Sequence, residues 1–182
     1  MKKVLVGLIA MMLLLVGCSS SGNGLKEIKT SDLCVTHINL DSKICYGDEK
    51  KDVEQVTGEG EEITRFMSYE NGIRIMYRND KVAGISLSDE SLDIYESEFA
   101  KIGDSKKSIL ENLGSDNSIN EVPSNLDYLY DSQTKKFILG KPDLKETAEE
   151  MENVYIVSFM FDGDGNARSI MLVDWRMATF MQ

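Results

Sequence analysis

The sequence predicts an α+β fold of two tandem units, each a helix, a loop, a second helix and an antiparallel β-meander, with the helices packed on one sheet face. Three observations carry that expectation. A twelve-residue segment recurs in diverged form 56 positions further on, Asn71-Gly72 joins two apolar runs, and Tyr95, Phe99 and Ile102 fall at helical spacing. With 42% hydrophobic and 28% charged residues and 2 Pro in 182 positions, the chain has enough apolar material for a packed core, which rules out wholesale disorder. The 20 basic and 31 acidic side chains give a net charge of −11, so DNA or RNA as the main partner is excluded.

The chain opens on Lys2 and Lys3 followed by the apolar run Val4 to Val16, the layout of a secretory signal over residues 1–17. The run is too short for a comfortable membrane span. Its end, Leu15-Val16-Gly17-Cys18, resembles the lipobox of bacterial lipoproteins. That resemblance implies cleavage before Cys18 and a diacylglycerol on its thiol, with acylation such as palmitate on its amine, because several acyl chains anchor stably where one is marginal. The competing readings are an ordinary signal with an incidental Cys, or an uncleaved anchor helix. Residues 18–33 are then the lipidated Cys and a tether, begun by the small polar run Ser19 to Gly24. Loss of residues 1–17 removes two Lys and no acid, leaving 18 basic and 31 acidic groups and a net charge of −13. An anionic membrane would repel such a body, so the lipid is what attaches it.

With Cys18 assigned to lipid, Cys34 and Cys45 remain, an even number suited to an exported chain. They form a disulfide or stay as two buried thiols. No CxxC redox or zinc pattern is present.

The first unit spans residues 34–90 and the second 91–182. Gly47-Asp48-Glu49-Lys50-Lys51 to Gly58 aligns without gaps on Gly103-Asp104-Ser105-Lys106-Lys107 to Gly114, with both Gly, the Asp and both Lys identical. Each copy reads as one short helix with Asp48 or Asp104 as N-cap. Val53 and Val56, or Ile109, Leu110 and Leu113, form its apolar face, and Gly58 or Gly114 its left-handed end.

After the first copy, Ile63 to Tyr69, Asn71-Gly72, Ile73 to Tyr77, Asn79-Asp80 and Val82 to Leu87 read as a three-stranded meander, since Asn-Gly supplies the positive φ that tight hairpins need. After the second come Leu126 to Tyr130, Lys136 to Leu139, Val154 to Phe161, the turn Asp162 to Asn166, and Ser169 to Val173. An insertion at about 141–153 carries an acidic surface helix near Leu144 to Met151. Ahead of each repeat, Tyr95, Phe99 and Ile102, or less cleanly Ile38, Leu40 and Ile44, predict a preceding helix.

An apolar residue, Gly, a polar cap, a short helix and a meander, as in Tyr46 to Gly58 and Ile102 to Gly114, resembles the domain of β-lactamase inhibitor proteins, a tandem of two such units. It is also similar to the single-unit small lipoproteins of the outer-membrane β-barrel assembly machinery. The resemblance covers most of residues 35–174. The sequence departs from it at Ser115, where a Pro often follows the Leu-Gly, and at Thr57, where Leu is expected. It implies a binding or scaffold module without catalysis and transfers no partner and no contact residues.

The candidates for chemistry are few. Asp162-Gly163-Asp164-Gly165-Asn166 begins like a calcium loop, but the twelfth position is Val173 where a bidentate acid is needed, so a hairpin turn is the better reading. His37, the single His, sits in an apolar segment without a partner motif. Glu146, Glu149, Glu150 and Glu152 read as a solvated helix face rather than a cation site. No nucleophile, metal-ligand or nucleotide motif appears, so neither enzyme activity nor a cofactor or metal is expected. Tyr128, Tyr130, Tyr155, Phe159, Phe161 and Trp175 could serve core or recognition; Tyr128 and Tyr130 share a strand face and are the candidate partner-binding pair. Two functions fit: a lipid-anchored envelope module on the cell membrane or outer membrane that binds another envelope or secreted protein, or a receptor with a small-ligand or cation site between the units.

Overall fold

A computed structural model of the chain describes residues 24–140 and 147–179. The expected signal, Cys18 and the tether as far as residue 23, the start of the insertion at 141–146 and the last three residues lie outside them. Over the described residues the architecture is α+β, a large antiparallel sheet with a small second sheet and four short helices.

The chain begins with β1 (Cys34–His37) and β2 (Ser42–Cys45), then α1 (Lys50–Thr57), β3 (Glu61–Ile63), β4 (Phe66–Ser68), β5 (Ile73–Arg78), β6 (Lys81–Ser88) and β7 (Tyr95–Ser97). It continues with α2 (Lys106–Leu113), β8 (Ser118–Val122), β9 (Asn125–Asp131), β10 (Lys136–Phe137), α3 (Ala148–Glu152), β11 (Val154–Phe161), β12 (Ala167–Asp174) and α4 (Trp175–Thr179). The large sheet runs β10-β9-β11-β12-β6-β5-β4-β3, with β8 also paired to β9, and the small sheet runs β2-β1-β7.

The sequence repeat is visible as repeated hydrogen bonds. Gly47 N–H donates to Val82 O and Gly103 N–H to Ala167 O, each at 2.8 Å; in return Val82 N–H donates to Asp48 O and Ala167 N–H to Asp104 O, again at 2.8 Å. Gly47 and Gly103 share φ 90°, and Gly58 and Gly114 share φ 78°, conformations that a Cβ disfavours. Both central hairpins carry a bulge at the equivalent place, between Met76 and Tyr77 and between Met160 and Phe161. Lys50 lies over the Tyr77 ring at 6.0 Å, and Lys106 over the Phe161 ring at 5.5 Å.

The halves meet where β6 pairs antiparallel with β12, and the register makes the join symmetric. Val82 corresponds to Ala167, so at the same spacing Ser86 corresponds to Met171, and these two residues are paired directly across the seam. On either side, Ile85 faces Leu172 and Leu87 faces Ile170. Backbone bonding therefore crosses the seam without interruption. Gly84 permits close packing there, because a Cβ on it would lie 2.3 Å from Met76 Cε and 2.9 Å from Val173 Cγ2.

One sheet face holds the main core. Ile73, Ile75, Ile85, Leu87, Ile170 and Leu172 pack there with Val53 of α1 and Ile109 and Leu113 of α2, so both repeat helices cover the same face as expected. Each such side chain contributes about 1.5–3 kcal/mol of burial free energy. The other face carries a smaller cluster of Met76, Leu129, Val154, Ile156 and Val173, against which Trp175 and Met177 of α4 pack.

Several expected features differ. The helices ahead of each repeat are absent among the described residues: Ile38, Leu40 and Ile44 belong to the β1–β2 hairpin region, and Tyr95 starts β7, so the tandem helix-loop-helix arrangement is not what forms. Tyr95, Phe99 and Ile102 are buried, yet Ser97 bends the chain between them by accepting from Phe99 and Ala100 N–H and donating to Ala100 O. The helix caps are Glu49 and Ser105, one residue later than expected. Asp48 and Asp104 instead accept from the N–H of Cys45 and Lys101, closing the turn that precedes each helix. The first strand of the first meander is divided into β3 and β4, and Asn71 and Gly72 have the positive φ expected of them, 61° and 72°. In the insertion the helix occupies Ala148–Glu152, capped by a reciprocal Thr147 and Glu150 pair.

Candidate functional site

Cys34 and Cys45 are directly opposed in the β1–β2 register and form a disulfide, with Cα atoms 4.1 Å apart. A bonded pair of this kind points to an extracytoplasmic compartment, where thiols stay oxidised. Among the described residues no helix is long and apolar enough to cross a membrane.

Tyr128 and Tyr130, the candidate contact residues, are in the core, 0% and 3% exposed. Alternation along β9 puts Leu126, Tyr128 and Tyr130 on the face that α2 and the amino-terminal segment cover. The Tyr128 hydroxyl donates to Gly114 O at 2.6 Å, and burial, followed by the nearby Glu121 charge, pushes this phenol up to about 12. Tyr130 packs edge-on against Phe137 with ring centres 5.1 Å apart. Neither ring presents its face to solvent. Tyr155, Phe159 and Phe161 are likewise buried, and Trp175 is half-buried on the second sheet face.

Asp162 shapes the β11–β12 turn. Its Oδ1 accepts from Asp164 and Asn166 N–H, both at 2.9 Å, and these backbone donors hold the carboxyl below its usual range. His37 lies edge-on to Tyr95 at 4.9 Å, and its Nδ1 is buried without a hydrogen-bond partner.

A buried charge network, unforeseen from the sequence, lies at the seam. Asp174, 0% exposed, lies at the end of β12, with Arg78 Nη1 2.8 Å from its Oδ2. The Tyr46 hydroxyl donates to the same oxygen at 2.6 Å and accepts from Arg78 Nη2 at 2.9 Å. Glu152 of α3 takes Arg78 Nε at 3.2 Å and also pairs with Arg176 of α4. Asp174 Oδ1 accepts from Met177 N–H at 2.8 Å. Residues from both halves and both carboxy-terminal helices are thereby tied together, and the one available signal was an acid closing the apolar run Ile170 to Val173.

Those two helices cover only one end of the second sheet face. The remainder is uncovered by any described helix: Arg74 and Met160 are exposed, the latter at 48%, and Ser86, Ser88, Asp127, Ser169 and Met171 are half-exposed around the seam. The surface grooves lie elsewhere. One of about 510 Å³ is lined by Lys50, Lys51, Glu54, Asn79 and Lys81, and one of about 550 Å³ by Gly24, Leu25, Lys26, Leu110 and Phe137 among others. Neither is lined by β12 or by the β6 residues that pair with it.

No protein-family model matches the chain, and no curated protein matches it. Among solved structures it is similar to a DUF4309 family protein, YjgB, from Bacillus subtilis subsp. subtilis str. 168, a distant structural relative. The likeness is at 19% sequence identity over 70% of this chain and 78% of that one, with a TM-score of 0.40.

Proposed function

We propose that this protein is a lipid-anchored, extracytoplasmic interaction or scaffold module of the cell envelope, held at Cys18 and working without catalysis. Its partner is another envelope or secreted protein, docked on the open half of the second sheet face. The uncovered surface around Ser86 and Met171 carries this reading. It is broad, mixes small polar groups with Met160 and Met171, and rests on continuous antiparallel pairing. Such a face offers area rather than an enclosed cavity, which suits a protein partner better than a small ligand. The doubled Gly-Asp hydrogen-bond pattern fits the resemblance to tandem inhibitor domains, and the disulfide fits export.

The test is cross-linked capture from native membranes with Cys18 intact, comparing the natural chain with Ser86→Arg and Met160→Glu. A partner recovered by the natural chain and by Lys51→Glu, and lost with both sheet variants, supports the assignment. Recovery of no partner, together with a thermal shift on adding one small ligand, overturns it in favour of a receptor.

A further inference from the structure

The described chain starts at Gly24, and that start is packed down. Leu25 N–H donates to Leu113 O at 2.7 Å, and Asn117 Nδ2 donates to Leu25 O at 2.6 Å. A Cβ on Gly114 would lie 2.9 Å from Gly24 Cα, so the backbones touch where α2 ends. Cys18 lies six positions before Gly24, a reach of at most ~21 Å. An acyl group on Cys18 would thus keep this pole of the domain close to the lipid headgroups.

What the fold displays at that pole differs from the rest of an acidic protein. Phe137 of β10 lines the same groove as Gly24, Leu25 and Lys26. Lys135 lines an adjoining groove of about 300 Å³ with Lys29 and Tyr130. The stretch Lys135 to Leu139 contains two exposed Lys and no acid, and it ends on Leu139, the most exposed large apolar side chain described, at 61%. Two of the acids nearby are already engaged. Glu27 pairs with Lys29 at 2.9 Å, and Asp131 is 4% exposed with its Oδ1 accepting from Gln133 and Thr134 N–H. Glu111 and Asp116 line the larger groove with Lys26.

We infer that Lys135 to Leu139, flanked by Lys26 and Lys29, is the face this domain turns toward an anionic phospholipid bilayer. The inference rests on the reading of Cys18 as the lipid-bearing residue. A net negative body is repelled as a whole, but charges beyond the ~8–10 Å screening length are scarcely felt by the surface. The charges nearest the tether therefore govern orientation, and here they include Lys beside an exposed Leu, the pairing that favours the headgroup boundary.

The experiment uses the lipoprotein purified from membranes and reconstituted into phosphatidylcholine vesicles with or without phosphatidylglycerol. Acylation of individual Lys residues by a water-soluble amine reagent is read by peptide mass. The expected result is labelling of Lys135 and Lys136 slowed on the order of tenfold by phosphatidylglycerol and restored by high salt, with Lys51 and Lys81 unchanged. Equal labelling in both vesicles overturns the proposal, as does protection that needs an added acidic envelope protein instead of the lipid. The triple variant K135E/K136E/L139S, altered only at exposed positions, should lose the lipid-dependent protection of Lys26 and Lys29; protection that survives in it also overturns the proposal. The same preparation reports the mass at Cys18. An unacylated chain that still sediments with phosphatidylglycerol vesicles and is protected upholds this surface and refutes the anchor, whereas one that does neither refutes both.

Discussion

Arg78 Nη1 lies 2.8 Å from Asp174 Oδ2, joining the first half of the chain to the last strand of the second through a carboxylate with no exposed surface. Tyr46, Glu152 and Arg176 complete the network, so each buried charge has a partner. Removing one member of such a pair strands the other. Arg78→Met should cost roughly 3–5 kcal/mol in urea unfolding, and the double variant Arg78→Met with Asp174→Asn should recover part of that loss.

Gly47 and Gly103 sit at the same φ of 90° and make equivalent hydrogen bonds to Val82 and Ala167. No neighbour lies within 4 Å of a Cβ built on Gly47, and the nearest to one on Gly103 is Leu92 Cδ1 at 3.4 Å, so an added methyl acts mainly through backbone strain. Gly47→Ala and Gly103→Ala should each lose about 1–2 kcal/mol, by similar amounts, in chemical denaturation. Clearly unequal losses would argue against equivalent units.

The Cys34–Cys45 bridge closes a loop with a sequence separation of 11. Chain-entropy reasoning gives about 3 kcal/mol for a loop of this size. Thermal unfolding of Cys34→Ser with Cys45→Ser, compared with the oxidised protein, should show that loss, and reductant should lower the stability of the natural protein alone.

Alkaline pH should weaken the fold. Burial pushes up the Tyr46, Tyr77 and Tyr128 phenols, aided by Asp174 beside Tyr46 and by the Tyr69 hydroxyl beside Tyr77. An unfolded chain ionises its phenols near pH 10, while folded Tyr128 holds its proton to about 12. Their contribution is therefore complete below about pH 10 and is lost as pH rises through the folded values. The urea midpoint should hold to about pH 10 and fall from there toward about pH 12, with tyrosinate absorbance rising as the chain unfolds.

Much of the sheet was legible because its signals are local. Asn79-Asp80 takes positive φ at both positions and joins β5 to β6 as a two-residue turn, and Val154 to Phe161 is a strand over its whole length. The repeat was legible because Gly47 and Gly103 are needed for their backbone angles. The Tyr95, Phe99 and Ile102 spacing misled, since burial of all three is achieved here by a strand and a Ser97-bonded turn. The Arg78–Asp174 pair was invisible because its members are 96 positions apart and meet only through the β5–β6–β12 pairing. The burial of Tyr128 and Tyr130 was equally hidden, since alternation gives two faces and only the tertiary fold says which one α2 covers.

The central claim proposed for this protein is attachment to a membrane through lipid at Cys18. The mass of the amino-terminal peptide of the protein isolated from its native membranes tests that directly. The account predicts a chain that begins at Cys18 and carries a diacylglyceryl thioether; a chain that begins elsewhere, or a Cys18 without lipid, would contradict it.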